Sequence, residues 1–159
     1  MKIVVMGVGN YILSDEGIGV HAVMELAKEK WQDNVEIFDC GTLGILASYK
    51  VAEADVLIAI DSIVSKEEAG TIKIFDKEEI MLSNVPMKVS PHQLGFQETL
   101  LHAELRGDCP KVVKLVGVVP ESYDTSTDLS ESCQKALPEV LEIVRNLVNE
   151  YANKTLDEI

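Results

Sequence analysis

Four polar side chains of this sequence fall where a sheet protein places its chemistry. Glu16 sits in GVGNYILSDEGIGVHAV, directly after the apolar run Ile3 to Met6. Asp39 opens DCGTLG after VEIF (35–38), Asp61 follows DVLIAI (55–60), and His92 lies in SPHQLG after an irregular stretch. In an open parallel sheet, sites form outside the carboxyl ends of the strands, so three acids and one histidine share a rim. A carboxylate–carboxylate–imidazole set from Glu16, Asp61 and His92 suits a borderline divalent ion such as Zn²⁺ or Ni²⁺, with coordination positions left open. SPHQ reads as a helix start, with Ser90 as cap, Pro91 at the first helical position and Gln93 reaching back. His92 then sits in the first turn, where the helix dipole disfavours imidazolium and keeps the neutral, metal-binding ring.

Other readings of the same residues compete. The GxG after the first strand and an acid after the second make half of a dinucleotide fingerprint, but Ile12 occupies the sixth position, where Gly or Ala is wanted. Asp15 and Glu16 would also repel a pyrophosphate at that helix start. In structural terms Ser14 is a cap, and Asp15 and Glu16 are acids favoured by a helix N-terminus. Asp61 can cap a turn and His92 can be a surface histidine. His21 and His102 fall mid-helix without partners at a recognisable spacing, and Met6 and Met24 read as core. Spacing alone yields a metal or small-ligand site on an α/β rim, and no reaction.

The elements that carry these residues alternate. Strand-like runs occur at 2–6, 35–38, 55–60, 71–75 and 112–119; the first, third and fifth are nearly continuous in apolar residues, as in strands buried on both faces. Helical patterns lie at 15–31, 44–53, 91–105 and 130–152. Such alternation implies βαβ units, a mostly parallel sheet and helices on both faces. A length of 159 residues fits one domain spanning 1–159, with 153–159 a polar, frayed tail. The segment 76–90 has no clear period and is long for a connection.

Composition narrows the partners. With 14 basic against 27 acidic residues the net charge is −13, which disfavours nucleic acid and anionic membranes and favours cations or basic partners. No signal peptide or membrane span is read from the chain. Cys40, Cys109 and Cys133 form no CxxC pair and read as reduced thiols of a cytoplasmic protein. Serine-nucleophile elbows and HExxH helices are absent from the sequence.

The stretches GVGNYILSDEGIGV, DCGTLG, VLIAIDSIVSK, VSPHQLG and LVGVVPES run in order from residue 3 to about 122. Together they resemble the maturation endopeptidases of [NiFe]-hydrogenases; SPHQLG and DCGTLG favour that branch over the spore germination proteases of similar fold. The resemblance implies a three-layer α/β/α sandwich with a mixed, mostly parallel twisted sheet. It implies a peptidase of the aspartyl kind, acting in the cytoplasm as a monomer, that removes a C-terminal extension from a hydrogenase large-subunit precursor after nickel insertion. Glu16, Asp61 and His92 match the family's metal-binding residues, and Asp39, with Glu16 and Asp61, its functional acids. Cys40 stands where the family often has glycine. The nickel would arrive with the substrate, and Zn or Cd could occupy the site in vitro. Two mechanisms stay open: the metal or an acid such as Asp39 activates water beside the anchored bond, or the three ligands only inspect the nickel. A non-enzymatic nickel-binding or delivery protein, and a dinucleotide binder, remain as alternatives.

Overall fold

The computed structural model describes residues 1–42, 44–82 and 95–159. The described residues form a five-stranded sheet of order β2-β1-β3-β5-β4. Its strands are β1 (Ile3–Val8), β2 (Val35–Gly41), β3 (Val56–Ser62), β4 (Ile72–Asp76) and β5 (Val112–Val118). All pairings are parallel except that of β4 with β5, so the antiparallel strand lies at one edge. Alternation along the buried strands divides the core into two layers. Ile3, Val5, Ile58, Ile60 and Val116 face α1 (Ile18–Leu26) and α5 (Glu131–Ala152). Val4, Met6, Leu57, Ala59 and Leu115 face the side of α2 (Gly44–Glu53), α3 (Lys77–Met81) and α4 (Phe96–Arg106). The expected α/β/α sandwich is therefore present, and no described helix is long and apolar enough to cross a membrane.

Several boundaries differ from the sequence reading. Strand β3 runs on through Asp61 and Ser62, because the ladder with β5 continues to Gly117 and Val118. The helix expected over 15–31 is shorter: Ser14–Gly17 form a 3-10 turn, and α1 proper covers Ile18–Leu26. Met24, read as core, is 49% exposed on the outer face of α1, whereas Met6 is fully buried. The supposedly irregular segment after residue 75 begins with a short helix, α3, whose capping box joins Asp76 and Glu79. The helix start predicted at Ser90–Gln93 lies outside the described residues; the described part of that helix, α4, begins at Phe96.

Helix α1 approaches the sheet closely because Gly19 has no side chain. A Cβ there would lie 2.2 Å from the carbonyl oxygen of Ile60 and 2.5 Å from that of Val8. Both carbonyls belong to the strand ends that flank the rim, so this contact sets the height of α1 over the sheet.

Asp15 has a different role from the one its position suggests. It is fully buried, and its carboxylate does not serve α1. Oδ2 accepts from the backbone N–H groups of Glu121 (2.8 Å) and Ser122 (3.0 Å) and from the Ser130 hydroxyl (2.7 Å), while Oδ1 accepts from Ser130 N–H (2.8 Å). Ser130 is the N-cap of α5, so the acid does sit at a helix start, but of a helix 115 residues away in sequence. Ser14 likewise is no cap. Its N–H donates to Ser126 O (2.9 Å) and its hydroxyl to Asp128 O (2.9 Å), which hold it at a left-handed φ of 49°. These bonds strap the 3-10 turn to the segment between β5 and α5.

Burial alone would raise the Asp15 carboxyl, but the donors from Ser130, Glu121 and Ser122 outweigh it and leave it below its ordinary value of 3.8. A carboxyl depressed in the folded state adds stability above its unfolded value and loses it as pH falls through the folded value. Asp15→Asn, which turns an amide toward these donors, is expected to cost about 2–4 kcal/mol near neutral pH. The gap from wild type in urea unfolding should hold down to the ordinary value of 3.8 and narrow below it; a gap independent of pH would contradict the assignment. Gly19→Ala should cost about 2–3 kcal/mol by overpacking against backbone, and an unchanged urea midpoint would contradict the close approach.

Candidate functional site

Strand β1 has β2 on one side and β3 on the other, so the chain changes direction across the sheet between β1 and β3. The crevice outside the carboxyl ends at such a reversal is where open α/β sheets bind ligands. Glu16 and Asp61 occupy it. Glu16 comes from the 3-10 turn after β1, and Asp61 from the last turn of the pleat in β3. They are 8% and 5% exposed.

Gly9 lies between the two. It holds φ at +124°, and a Cβ on it would fall 1.9 Å from the carbonyl oxygen of Glu16 and 3.3 Å from Oδ1 of Asp61. Only glycine allows the backbone to pass there. Asn10 then closes the turn, its carbonyl accepting from Leu13 N–H (3.1 Å) and its side chain from Ile12 N–H (3.2 Å). The N–H of Glu16 is tied to Leu13 O at 3.1 Å. The glycines of the first motif thus shape a turn that delivers a carboxylate. Asp61 Oδ1 also accepts the following N–H, of Ser62, at 2.7 Å, which fixes the carboxylate against its own backbone.

Asp39 reaches the same rim with a different character. The ladder between β1 and β2 pairs Gly7 with Asp39 and Val8 with Gly41, so Cys40 is a bulged residue. The bulge turns Cys40 inward, where it is buried, and leaves Asp39 exposed. Burial pushes the Cys40 thiol up to about 11, aided by the negative charges of Asp39 and Asp61. The thiol is therefore neutral and protonated at ordinary pH, and it lies within the field of both acids. Cys109 and Cys133 are likewise raised, by burial first, and Cys133 packs in the core with its thiol 3.7 Å from Val119 O.

His92 lies outside the described residues. Of the four side chains singled out from sequence, Glu16 and Asp61 lie on either side of Gly9 at the rim, nearly buried, and Asp39 lies at the end of β2, exposed. Among the described residues no three His, Cys, Asp or Glu side chains are grouped to hold a metal ion. What the described rim offers is two nearly buried acids on either side of Gly9, their backbones held by the turn after β1 and by the β3–β5 ladder. His21 is not at this pair; its ring lies 5.0 Å from that of Tyr11. His102 is exposed on α4.

Tyr123 belongs to the site and was not singled out from sequence. Its side chain hydrogen-bonds with that of Ser62. Burial pushes the phenol up to about 12 against the Ser62 bond, and Glu16, Asp61 and Asp15 push it further the same way. The only sequence signal was its place, one residue past the PES that follows β5.

The chain matches the family model described as hydrogenase maturation protease over residues 20–147, a span that holds Asp39, Asp61 and His92 and begins four residues past Glu16. The Hydrogenase 2 maturation protease of Escherichia coli K12 is 40% identical over 149 residues, covering 91% of this chain and 88% of that protein. A solved structure of the hydrogenase maturating endopeptidase HybD from E. coli superposes with a TM-score of 0.87 at 39% identity, covering 94% of this chain and 93% of that one. The hydrogenase 2 maturation peptidase from a Thaumarchaeota archaeon gives a TM-score of 0.73 at 26% identity, covering 94% and 99%. With the sheet order and these matches in agreement, this chain is a peptidase that belongs to the hydrogenase maturation protease family.

Proposed function

We propose that this peptidase removes the C-terminal extension of a [NiFe]-hydrogenase large-subunit precursor after nickel has been inserted, and that it reads the substrate's nickel through Glu16, Asp61 and His92. The observation that carries the reading is the placement of two nearly buried acids on either side of Gly9, at the sheet reversal of a chain in this family. Two acids with little access to water offer oxygen donors to a divalent cation brought by the substrate. A metal already seated in the substrate brings its own ligands, so it needs from the peptidase only a few further donors. His92, as a neutral imidazole, is the third donor in this reading.

The nickel would supply an electrostatic anchor for the precursor beside the bond to be cut. The residues of this chain do the rest. Burial separates their roles: Glu16 and Asp61 are fixed and shielded, as positioning ligands should be. Asp39 is exposed at the end of β2 and can meet water. Its carboxylate accepts a proton from the water that attacks the scissile carbonyl, and the proton passes on to the leaving amine. The neutral Cys40 thiol beside Asp39 is not the nucleophile, because nucleophilic attack requires the thiolate.

The test is processing of purified precursor, with and without nickel, followed by mass spectrometry. Nickel-loaded precursor should lose its C-terminal extension and nickel-free precursor should not; equal cutting of both would overturn nickel reading. Glu16→Gln, Asp61→Asn and His92→Ala should each fold and lower processing of the loaded precursor by at least about 10²-fold. Full processing by all three would sink the assignment. A wild-type chain that binds nickel tightly on its own and shortens no precursor would be a delivery protein instead.

A further inference from the structure

Resting on that reading, we infer that Ser130, at the start of α5, is a positioning residue for the reaction: through Asp15, its hydroxyl holds the turn that carries Glu16 where Glu16 reads the substrate's nickel. Asp15 is the residue next to Glu16 and is fully buried. Three of the donors to its carboxylate are backbone N–H groups, of Glu121, Ser122 and Ser130. The fourth is the Ser130 hydroxyl, at 2.7 Å. Unlike the backbone groups, that donor can be removed by substitution. A hydrogen bond from a hydroxyl to a carboxylate is charge-assisted and roughly twice as strong as a neutral one, so its loss is felt by a buried acid.

The same hydroxyl oxygen accepts from Cys133 N–H at 3.3 Å and so caps α5. A hydroxyl has one proton and two lone pairs, so giving the proton to Asp15 leaves the oxygen able to cap. The first turn of α5 and the 3-10 turn Ser14–Gly17 are joined through this one atom. The 3-10 turn has little room to move independently. A Cβ on Gly9 would fall 1.9 Å from the Glu16 carbonyl oxygen, and one on Gly17 would fall 2.8 Å from Tyr11 Cα. These are backbone-to-backbone contacts on both sides of the Glu16 side chain in sequence. A shift of Asp15 is therefore passed on to its neighbour Glu16. A misplacement of about 1 Å in a positioned group can cost about 10²-fold in rate.

A cap and a positioning donor respond differently to the same substitutions. Glycine replaces a serine cap at small cost, and threonine replaces it with the same hydroxyl. Ser130 has φ −60° and ψ 162°, an extended conformation open to both. If Ser130 served only the helix, neither change would reach the reading of nickel. As the donor to Asp15, threonine preserves the link and glycine breaks it.

The test compares wild type with Ser130→Gly and Ser130→Thr, each checked for a cooperative urea transition. It measures processing of nickel-loaded precursor and the binding of loaded against nickel-free precursor. Ser130→Gly should lower kcat/KM by at least about tenfold and shrink the binding preference to within about threefold, whereas Ser130→Thr should stay within about twofold of wild type in both. Placed on Glu16→Gln, Ser130→Gly should reduce the preference by no more than about twofold further, because the two act at one point. Wild-type values in Ser130→Gly, or a full further loss on top of Glu16→Gln, would overturn the inference and leave the proposed function in place. Should Ser130→Gly not fold, Ser130→Cys, whose thiol is a weaker donor, takes its place; a loss of at least about threefold is then expected, and wild-type values would overturn the inference. A wild-type chain that binds loaded and nickel-free precursor equally would remove the nickel reading and this inference with it.

Discussion

The rim of this sheet depends on one buried carboxylate. Asp15 accepts four hydrogen bonds from residues more than a hundred positions away, and through them it fixes the turn that carries Glu16. An ionised acid without access to water is tolerable only because each of its oxygens is met by donors and because the N-terminus of α5 lies beside it. The same bonds define the segment that leads to Tyr123. One charge therefore sets the position of Glu16 on the β1 side, of the segment after β5 that leads to Tyr123, and of the first turn of the longest described helix. The adjacent acids divide the work: Asp15 is spent on structure, and in the proposed reading Glu16 is held for the substrate's metal.

The opposite wall is built by different means. Asp61 is placed by the parallel ladder with β5 and by its bond to the next N–H, and the backbone between the walls passes through Gly9 at a φ that only glycine readily adopts. Rigid backbone on both sides suits a site whose partner supplies the metal, because the protein cannot rely on a resident ion to draw its ligands together. In the proposed reading, the two buried negative charges of Glu16 and Asp61 are the recognition device. A precursor that brings a divalent cation neutralises the pair, and one that lacks it meets two negative charges.

How much of this was legible in the sequence varies with how local the cause is. The strands β1, β3 and β5 were visible because burial on both faces makes their runs almost continuously apolar, and helix 44–53 emerged with its boundaries intact. Glu16, Asp39 and Asp61 were visible as acids following strands. The sequence divided Asp15, as a helix-start acid, from Glu16, as a metal ligand, but did not show which helix start, since nothing near residue 15 announces that its partners are Glu121, Ser122 and Ser130, the last at the α5 start. The bulge at Cys40 was hidden for a similar reason: it is a mismatch in pairing between β1 and β2, and it decides that Asp39 is exposed while Cys40 is buried. Met24 misled because helical spacing places residues on a face only once the start of the helix is known, and the 3-10 turn shifts that start to Ile18. Tyr123 carried no motif; its place emerges only when β5 and β3 lie side by side.

The central claim is that Glu16 and Asp61 together sense the metal in the substrate. It is tested most directly by calorimetric affinity for nickel-loaded and nickel-free precursor, measured with the wild-type chain, Glu16→Gln and Asp61→Asn. Wild type should bind the loaded precursor at least about tenfold more tightly, a difference of about 1.4 kcal/mol, and either substitution should bring the two affinities together. A preference for loaded precursor that survives in both variants would contradict the account.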